Sequence, residues 1–343
     1  MEITKSRLRI IGGHLYHNLA HKIRFRMGYV SSLKGATHQG KSLERSLDYI
    51  DEVFTDYLQY AGVGPDALAG RRVLEIGPGD NLGVALKFLA AGCSQVVCLD
   101  KFFARRNEAQ QLLIYRAMRE RLSGIERKRF AESVNLEEGF IPNPERLQYL
   151  YGAGIEGARD LLSPESFDYI ISRAVLMEIS DSDAAFASMD WLLKPGGYLI
   201  HKIAPLRDYE MFRSHGYNPL EFLTIPEWLY RQMVSDCGGP NRRLVTYYRH
   251  KMVELGYAAT IHIVNLVGSH LKLPPGGVTL TPEMAGYDRA AALVRDIRPR
   301  LEPVFGHLED TDLMVEDTFL VARKPDASPT TTWTHGISTA AVG

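Results

Sequence analysis

The chain has 343 residues, 45% hydrophobic and 24% charged, with a formal net charge of -1. That length suits one α/β domain with added elements, and near-neutrality gives no bulk attraction to nucleic acid or an anionic surface. Three cysteines (Cys93, Cys98, Cys237) without a C-x-x-C pair argue against a disulfide framework or a zinc cluster; no metal site is expected, and a reducing cytoplasm is the expected setting.

Residues 1–36 are basic: Lys5, Arg7, Arg9, Lys22, Arg24 and Arg26 face only Glu2 as an acid. They read as a solvated arm or a helix packed on the main domain, with an anionic substrate or a membrane surface as the sharper alternative. His14, His17 and His21 interrupt any apolar run, so no signal peptide is expected. Nowhere does an apolar run approach the roughly 18 residues of a membrane span. Leu43, Leu47, Ile50, Val53, Phe54, Tyr57 and Leu58 then recur at helical spacing over 41–61. Gly62, Gly64 and Pro65 stop that helix.

From residue 71 strands alternate with helices. RRVLEI (71–76) reads as a strand, NLGVALKFLAAG (81–92) as a helix closed by Gly92, and SQVVCLD (94–100) as a second strand. Residues 101–130 read as a charged helix whose arginines, 116–129, alternate with Glu120 and Glu126 as on a solvated face. A third strand is expected over 148–154 and a buried one over 167–172. A helix ending near Pro195 and a strand over 198–203 follow. Residues 204–250 break the alternation, then a helix is expected around 245–257. Strands follow at 259–267 and 317–324, with a helix over 287–301 between them. The alternation implies a doubly wound, Rossmann-like, mostly parallel seven-stranded sheet, with a helical cap (1–60) and a lid inserted at 204–250 in a 61–325 domain. The Ser-, Thr- and Ala-rich segment 326–343 reads as a disordered tail.

The stretch VLEIGPGD (73–80) carries the chemistry. A strand running into glycines and then a helix leaves backbone N–H groups free for a ligand. Gly77, Gly79 and Gly83 give G-x-G-x-x-x-G, one residue off the dinucleotide fingerprint, and no phosphate loop is present. Glu75 at the strand end would repel a pyrophosphate but suits an ammonium or sulfonium. Asp100, about 20 residues on at the next strand end, is where such folds bind ribose hydroxyls. An amine, a sulfonium and a ribose together describe S-adenosylmethionine.

VLEIGPG resembles motif I of the class I S-adenosylmethionine-dependent methyltransferases. VVCLD, the segment IEGARDLLSPESFDYIISRAVLMEI and the turn LLKPGGYLI resemble later motifs of that family, in the same order. The resemblance covers about 71–203 and implies a methyltransferase. It implies that Gly77 and Gly79 lie against the cofactor and that Glu75 orders their loop or meets the methionine amino group. By the same likeness Asp100 takes the ribose with Lys101 beside it, Glu156 and Gly157 lie near the adenine, and Ser172 and Arg173 line the floor under the methyl group. Where many small-molecule members carry histidine in V-L-E-H-V, this chain has Glu178. Candidate bases for an acceptor proton are Glu178, His201, Asp208 and His215, with a buried core role as the alternative for His201 and an exposed loop for His215.

The cluster Arg242, Arg243, Arg249 and Lys251 reads as a solvated helix face or an anion contact. No N-P-P-Y or D-P-P-Y tetrapeptide occurs, so nucleic acid is not the expected partner. A small molecule or glycan precursor methylated on O or N is expected, with an RNA or protein methyltransferase, a non-catalytic scaffold and a dehydrogenase as rivals.

Overall fold

The computed structural model describes residues 6–28, 31–32, 37–207, 211–236, 239–277 and 279–326. Its central sheet contains β1 (Arg72–Ile76), β2 (Gln95–Asp100), β3 (Leu147–Tyr151), β4 (Phe167–Arg173), β5 (Leu193–Ile203), β6 (Ala258–Leu266) and β7 (Val315–Arg323). The spatial order is β6-β7-β5-β4-β1-β2-β3. Strands β1 to β5 pair in parallel, and β7 runs antiparallel to both β5 and β6. The order reverses at β1, so the carboxyl ends of β1 and β4 open a crevice, the usual ligand position in a doubly wound sheet.

The helices are α1 (Arg7–Arg26), α2 (Leu43–Ala61), α3 (Gly83–Ala91), α4 (Glu108–Arg121), α5 (Gly124–Ser133), α6 (Ser182–Leu192), α7 (Glu227–Val234), α8 (Val245–Glu254), α9 (Tyr287–Ile297) and α10 (Asp310–Met314). One core packs α2, α3, α4 and α5 on the sheet face carrying Val73, Val96, Tyr169 and Ile171. A second packs α6 and α8 on the face carrying Leu74, Val97, Ile170 and Leu199. Apolar residues point to both faces because parallel strands are covered on both sides. A third core joins Ile10 of α1, α7, α9 and the 211–225 segment beyond the sheet edge.

Helix α2 follows its periodicity: Leu47, Ile50, Val53 and Tyr57 are buried, Ser42 Oγ accepts the Arg45 N–H at 3.3 Å, and Gly62 closes it at φ 66°. The basic segment is helix α1, packed rather than loose. Arg7 pairs with Glu221 at 3.2 Å, and Asn18 donates to the Gln232 carbonyl at 2.8 Å.

Four expectations change. The charged stretch 101–130 is two helices, because Asn107 caps α4 (Gln110 N–H at 3.0 Å) and the chain turns extended at Leu122 and Ser123. Helix α6 stops at Leu192, and L-K-P-G-G enters β5, with Gly196 at φ 72°. Segment 204–250 contains α7, which its mixed composition hid, and contributes Leu206, Phe212, Phe222 and Tyr230 to the third core. The basic cluster is a solvated face only in part, with Arg243 and Arg249 exposed. Arg242 is buried on the Phe222 and Ile225 carbonyls and Glu227, Arg249 pairs with Asp312, and Lys251 pairs with Asp183 and Glu254. Residues 327–343, most of the expected tail, lie outside the described residues.

Candidate active site

Strand β1 ends in Gly77–Pro78–Gly79, with Gly77 at φ 69° and Gly79 at φ 71°. Side chains at these angles are strained. A Cβ at Gly77 would also run into the Val175 side chain. The Gly77 N–H donates to the Leu99 carbonyl at 2.8 Å, which ties the loop to β2. Gly83, the third glycine, serves packing: a Cβ there would overlap Ile50 of α2 and the Asn81 amide. The loop and α2 thereby enclose a cavity of about 470 Å³.

Glu75, Gly77, Gly79, Asp100, Lys101, Glu156, Arg173 and Glu178 all line that cavity. Burial pushes the Glu75 carboxyl up to about 7, opposed by the Cys98 thiol, which donates to it at 3.5 Å, and by Arg106. Burial likewise pushes Asp100 up to about 6, opposed by the Phe102 N–H and Arg106. An added cation would favour the ionised form of both. Lys101 pairs with Glu156 at 3.4 Å at the rim. Arg173 holds Asp56 of α2 at 2.9 Å, and Lys272 holds the other Asp56 oxygen at 2.7 Å, so α2 is bolted across the carboxyl end of β4. Tyr49, Ile50 and Val53 of α2 form the apolar wall. Glu178 lies in a turn braced by Asn241, whose Nδ2 donates to the Leu176 and Ile179 carbonyls, each at 2.8 Å.

Other expected residues lie elsewhere. Ser172 is buried away from the cavity and shares a 2.7 Å hydrogen bond with His201 Nδ1 on β5. Side chains alternate along β4: Ile171 pairs with Glu75 in register, so Arg173 shares the Glu75 face and Ser172 takes the opposite one. His201 is fully buried, and desolvation pushes its imidazole down to about 3, so it is the buried core histidine. His215 sits in the turn Arg213–His215 and does not line the cavity, nor does Gly157. Asp208 lies outside the described residues.

Two cavity groups escaped the sequence reading. His38 is buried, its Nδ1 has no hydrogen-bond partner among the described residues, and burial outweighs the Asp80 charge to lower its pKa. Asp80 fixes it by accepting the backbone N–H of Thr37, His38 and Gln39 at 3.0–3.2 Å. Asn81 Oδ1 accepts the Gly83 N–H at 2.7 Å, while its Nδ2, in the cavity wall, has no partner among the described residues. No local pattern marks either residue; only the aspartate after GPG hints at the latch.

Buried carboxylates, a bare glycine backbone and two lining polar atoms without partners among the described residues suit a ligand that is cationic at one end and a polar nucleoside at the other. With the sheet order, they define a class I S-adenosylmethionine-dependent methyltransferase. A methyltransferase-domain family model matches residues 47–249, and the chain belongs to that family. No curated protein matches it. Among solved structures it is similar to the CurJ carbon methyltransferase (15% identity, TM-score 0.40, covering 85% of this chain and 57% of that one). It is also similar to Haemonchus contortus phosphoethanolamine N-methyltransferase 2 with S-adenosyl-L-methionine (15%, 0.41, 86% and 60%). A third is an S-adenosylmethionine-dependent methyltransferase from Mesorhizobium loti (14%, 0.40, 82% and 100%). The chain spans less than two thirds of the first two proteins.

Proposed function

We propose that this methyltransferase methylates an oxygen or nitrogen atom of a small molecule or glycan precursor. The observation that carries the reading is one cavity bordered by Glu75, Asp100 and the Gly77–Gly79 backbone and also by two proton-accepting groups, Glu178 and His38. Glu75 and the glycine backbone hold the amino-acid end of S-adenosylmethionine. Asp100 accepts from the ribose hydroxyls with Lys101 beside it, and Glu156 faces the adenine amine. Arg173 sets the floor, and the α2 wall excludes water. When bound, the cofactor supplies a methyl group already activated by its sulfonium. Glu178 takes the proton of an acceptor hydroxyl or ammonium, and His38, kept neutral by burial, is a second acceptor.

Arginines at 116–129 offer little to a polyanion: Arg119 pairs with Glu137, Arg121 with Glu44 and Arg127 with Glu120. A reducing, cytoplasmic setting is part of the same reading.

The test is a panel of hydroxyl, amine, RNA and protein acceptors incubated with the methyl donor, with product masses read. Methylation confined to RNA or protein overturns the acceptor class. Asp100→Ala should weaken cofactor binding by about 1.5–3 kcal/mol, the scale of hydrogen bonds to a charged group; unchanged affinity in a folded variant removes the ribose assignment. Glu178→Gln should lower kcat by roughly 10²–10⁴, the range of general-base contributions, with cofactor affinity little altered; full turnover removes it as the base.

A further inference from the structure

Helix α1 is held down on one side and apolar on the other. Ile10 and Asn18 are its buried residues. Besides the Gln232 contact, Asn18 Oδ1 accepts the Asp236 N–H at 2.8 Å, and Arg7 bonds Thr224 Oγ1 at 2.6 Å. The opposite side carries Leu8, Tyr16, Leu19 and Ile23, with Met27 at the C-cap, exposed by 82%, 75%, 56%, 51% and 68%. At helical spacing these fall with Gly12 in one arc of about 100°. A solvent-facing helix side ordinarily carries polar residues; here they flank the apolar arc. Arg9, Arg24 and Arg26 are exposed, and Lys22 is half-buried. No aspartate or glutamate occurs between Glu2 and Glu44, although the whole chain is near neutral.

We propose that α1 docks this protein on an anionic lipid surface. An apolar arc bordered by Arg and Lys is the pattern of a helix lying in the headgroup plane, where apolar side chains enter the acyl boundary and cations meet anionic lipids. Charge complementarity favours this occupant over a second copy of the chain, which would face basic α1 with basic α1. The apolar arc disfavours a nucleic acid, which needs cations and stacking rings rather than aliphatic groups.

The helix also spans the mouth of the cavity. Ser235 and Asp236, its Asn18 partners, line one rim, and Phe25 packs edge-on to Phe102 of the other rim at 5.7 Å between ring centres. A surface touching the apolar arc therefore lies against the outer side of the helix that spans the mouth. The docking itself is independent of the acceptor reading.

The test is co-sedimentation of the full chain with vesicles of phosphatidylcholine alone or mixed with phosphatidylglycerol, at low and raised salt. Association with the anionic vesicles, weakened by salt, is expected. Leu19→Glu with Ile23→Glu should lower it at least about tenfold, the scale of withholding two apolar side chains from an apolar setting, with the thermal midpoint unchanged. Arg9→Gln with Arg24→Gln should weaken low-salt binding and flatten its salt dependence, which covers the case in which the first variant misfolds. No association with anionic vesicles, or equal association of both double variants, overturns the proposal. A lipid-free dimer that the glutamate variant dissociates overturns it in favour of a second copy.

Discussion

Glu75 shows how one carboxylate can be placed against its own solvation. It ends a strand buried on both faces, under α2, with the Cys98 thiol as its hydrogen-bonding neighbour. Burial raises its pKa to about 7, so near neutral pH part of the population carries a neutral acid there. With the cationic end of S-adenosylmethionine placed at Glu75, as proposed, its binding favours the ionised form and is expected to expel a proton wherever Glu75 is protonated beforehand. The sign follows: affinity rises as pH climbs through about 6 and 7, where Asp100 and Glu75 ionise, and levels off above. Calorimetry from pH 5.5 to 8.5 should show at most about a tenfold change per pH unit for each proton released. Glu75→Gln should weaken binding at high pH and remove the upper part of that dependence. Affinity independent of pH in the unaltered protein would sink the assignment of the cation to Glu75. Both acids were legible because strand ends and glycine turns leave local marks. Ser172 takes the other face because Ile171, its neighbour on the strand, is the register partner of Glu75, a pairing between distant strands that the local sequence does not show. His38 left no mark, because the Asp80 carboxylate that orders its backbone lies 42 residues along the chain.

Among elements, the junction of α2 and α3 decides whether the cavity keeps its wall. Gly83 lets Ile50 approach the start of α3, and Arg173 pins Asp56 from below. Gly83→Ala should destabilise the protein by about 1–3 kcal/mol, the usual cost of overpacking. Ile50→Val alone should cost about 0.5–1.5 kcal/mol, yet in combination it removes the Cδ1 that the new methyl strikes. The double variant is therefore expected to be more stable than the sum of the two losses allows, as read from urea midpoints. Simple additivity would place the crowding elsewhere. The off-by-one spacing marks the glycine locally, whereas its partner Ile50 belongs to a helix before the sheet begins and leaves no such mark. The strands are legible because apolar runs between turn residues are local. The sequence shows α4 and α5 as one charged stretch because a single extended break at 122–123 hardly disturbs the charge pattern.

Over the whole molecule, three cores divide the labour. Two cover the sheet, and the third lies beyond its edge under α1, α7 and α9. Helix α2 is part of the first core, so a chain beginning at residue 63 would bare the sheet face now covered by Leu47, Ile50, Val53 and Tyr57. It should lose cooperative thermal unfolding, whereas Leu19→Glu with Ile23→Glu on α1 should retain it; calorimetric scans of both decide the matter. The third core was illegible because its members come from α1, 211–234, α9 and the approach to β7, segments with no shared local pattern. The thiol beneath Glu75 carries one more consequence. Cys98 is wholly enclosed, and burial and the neighbouring acid raise its pKa well above that of a free thiol. A maleimide cannot reach it while the sheet is covered, so its labelling rate times the breathing of the crevice, and methyl donor should slow that clock in proportion to occupancy.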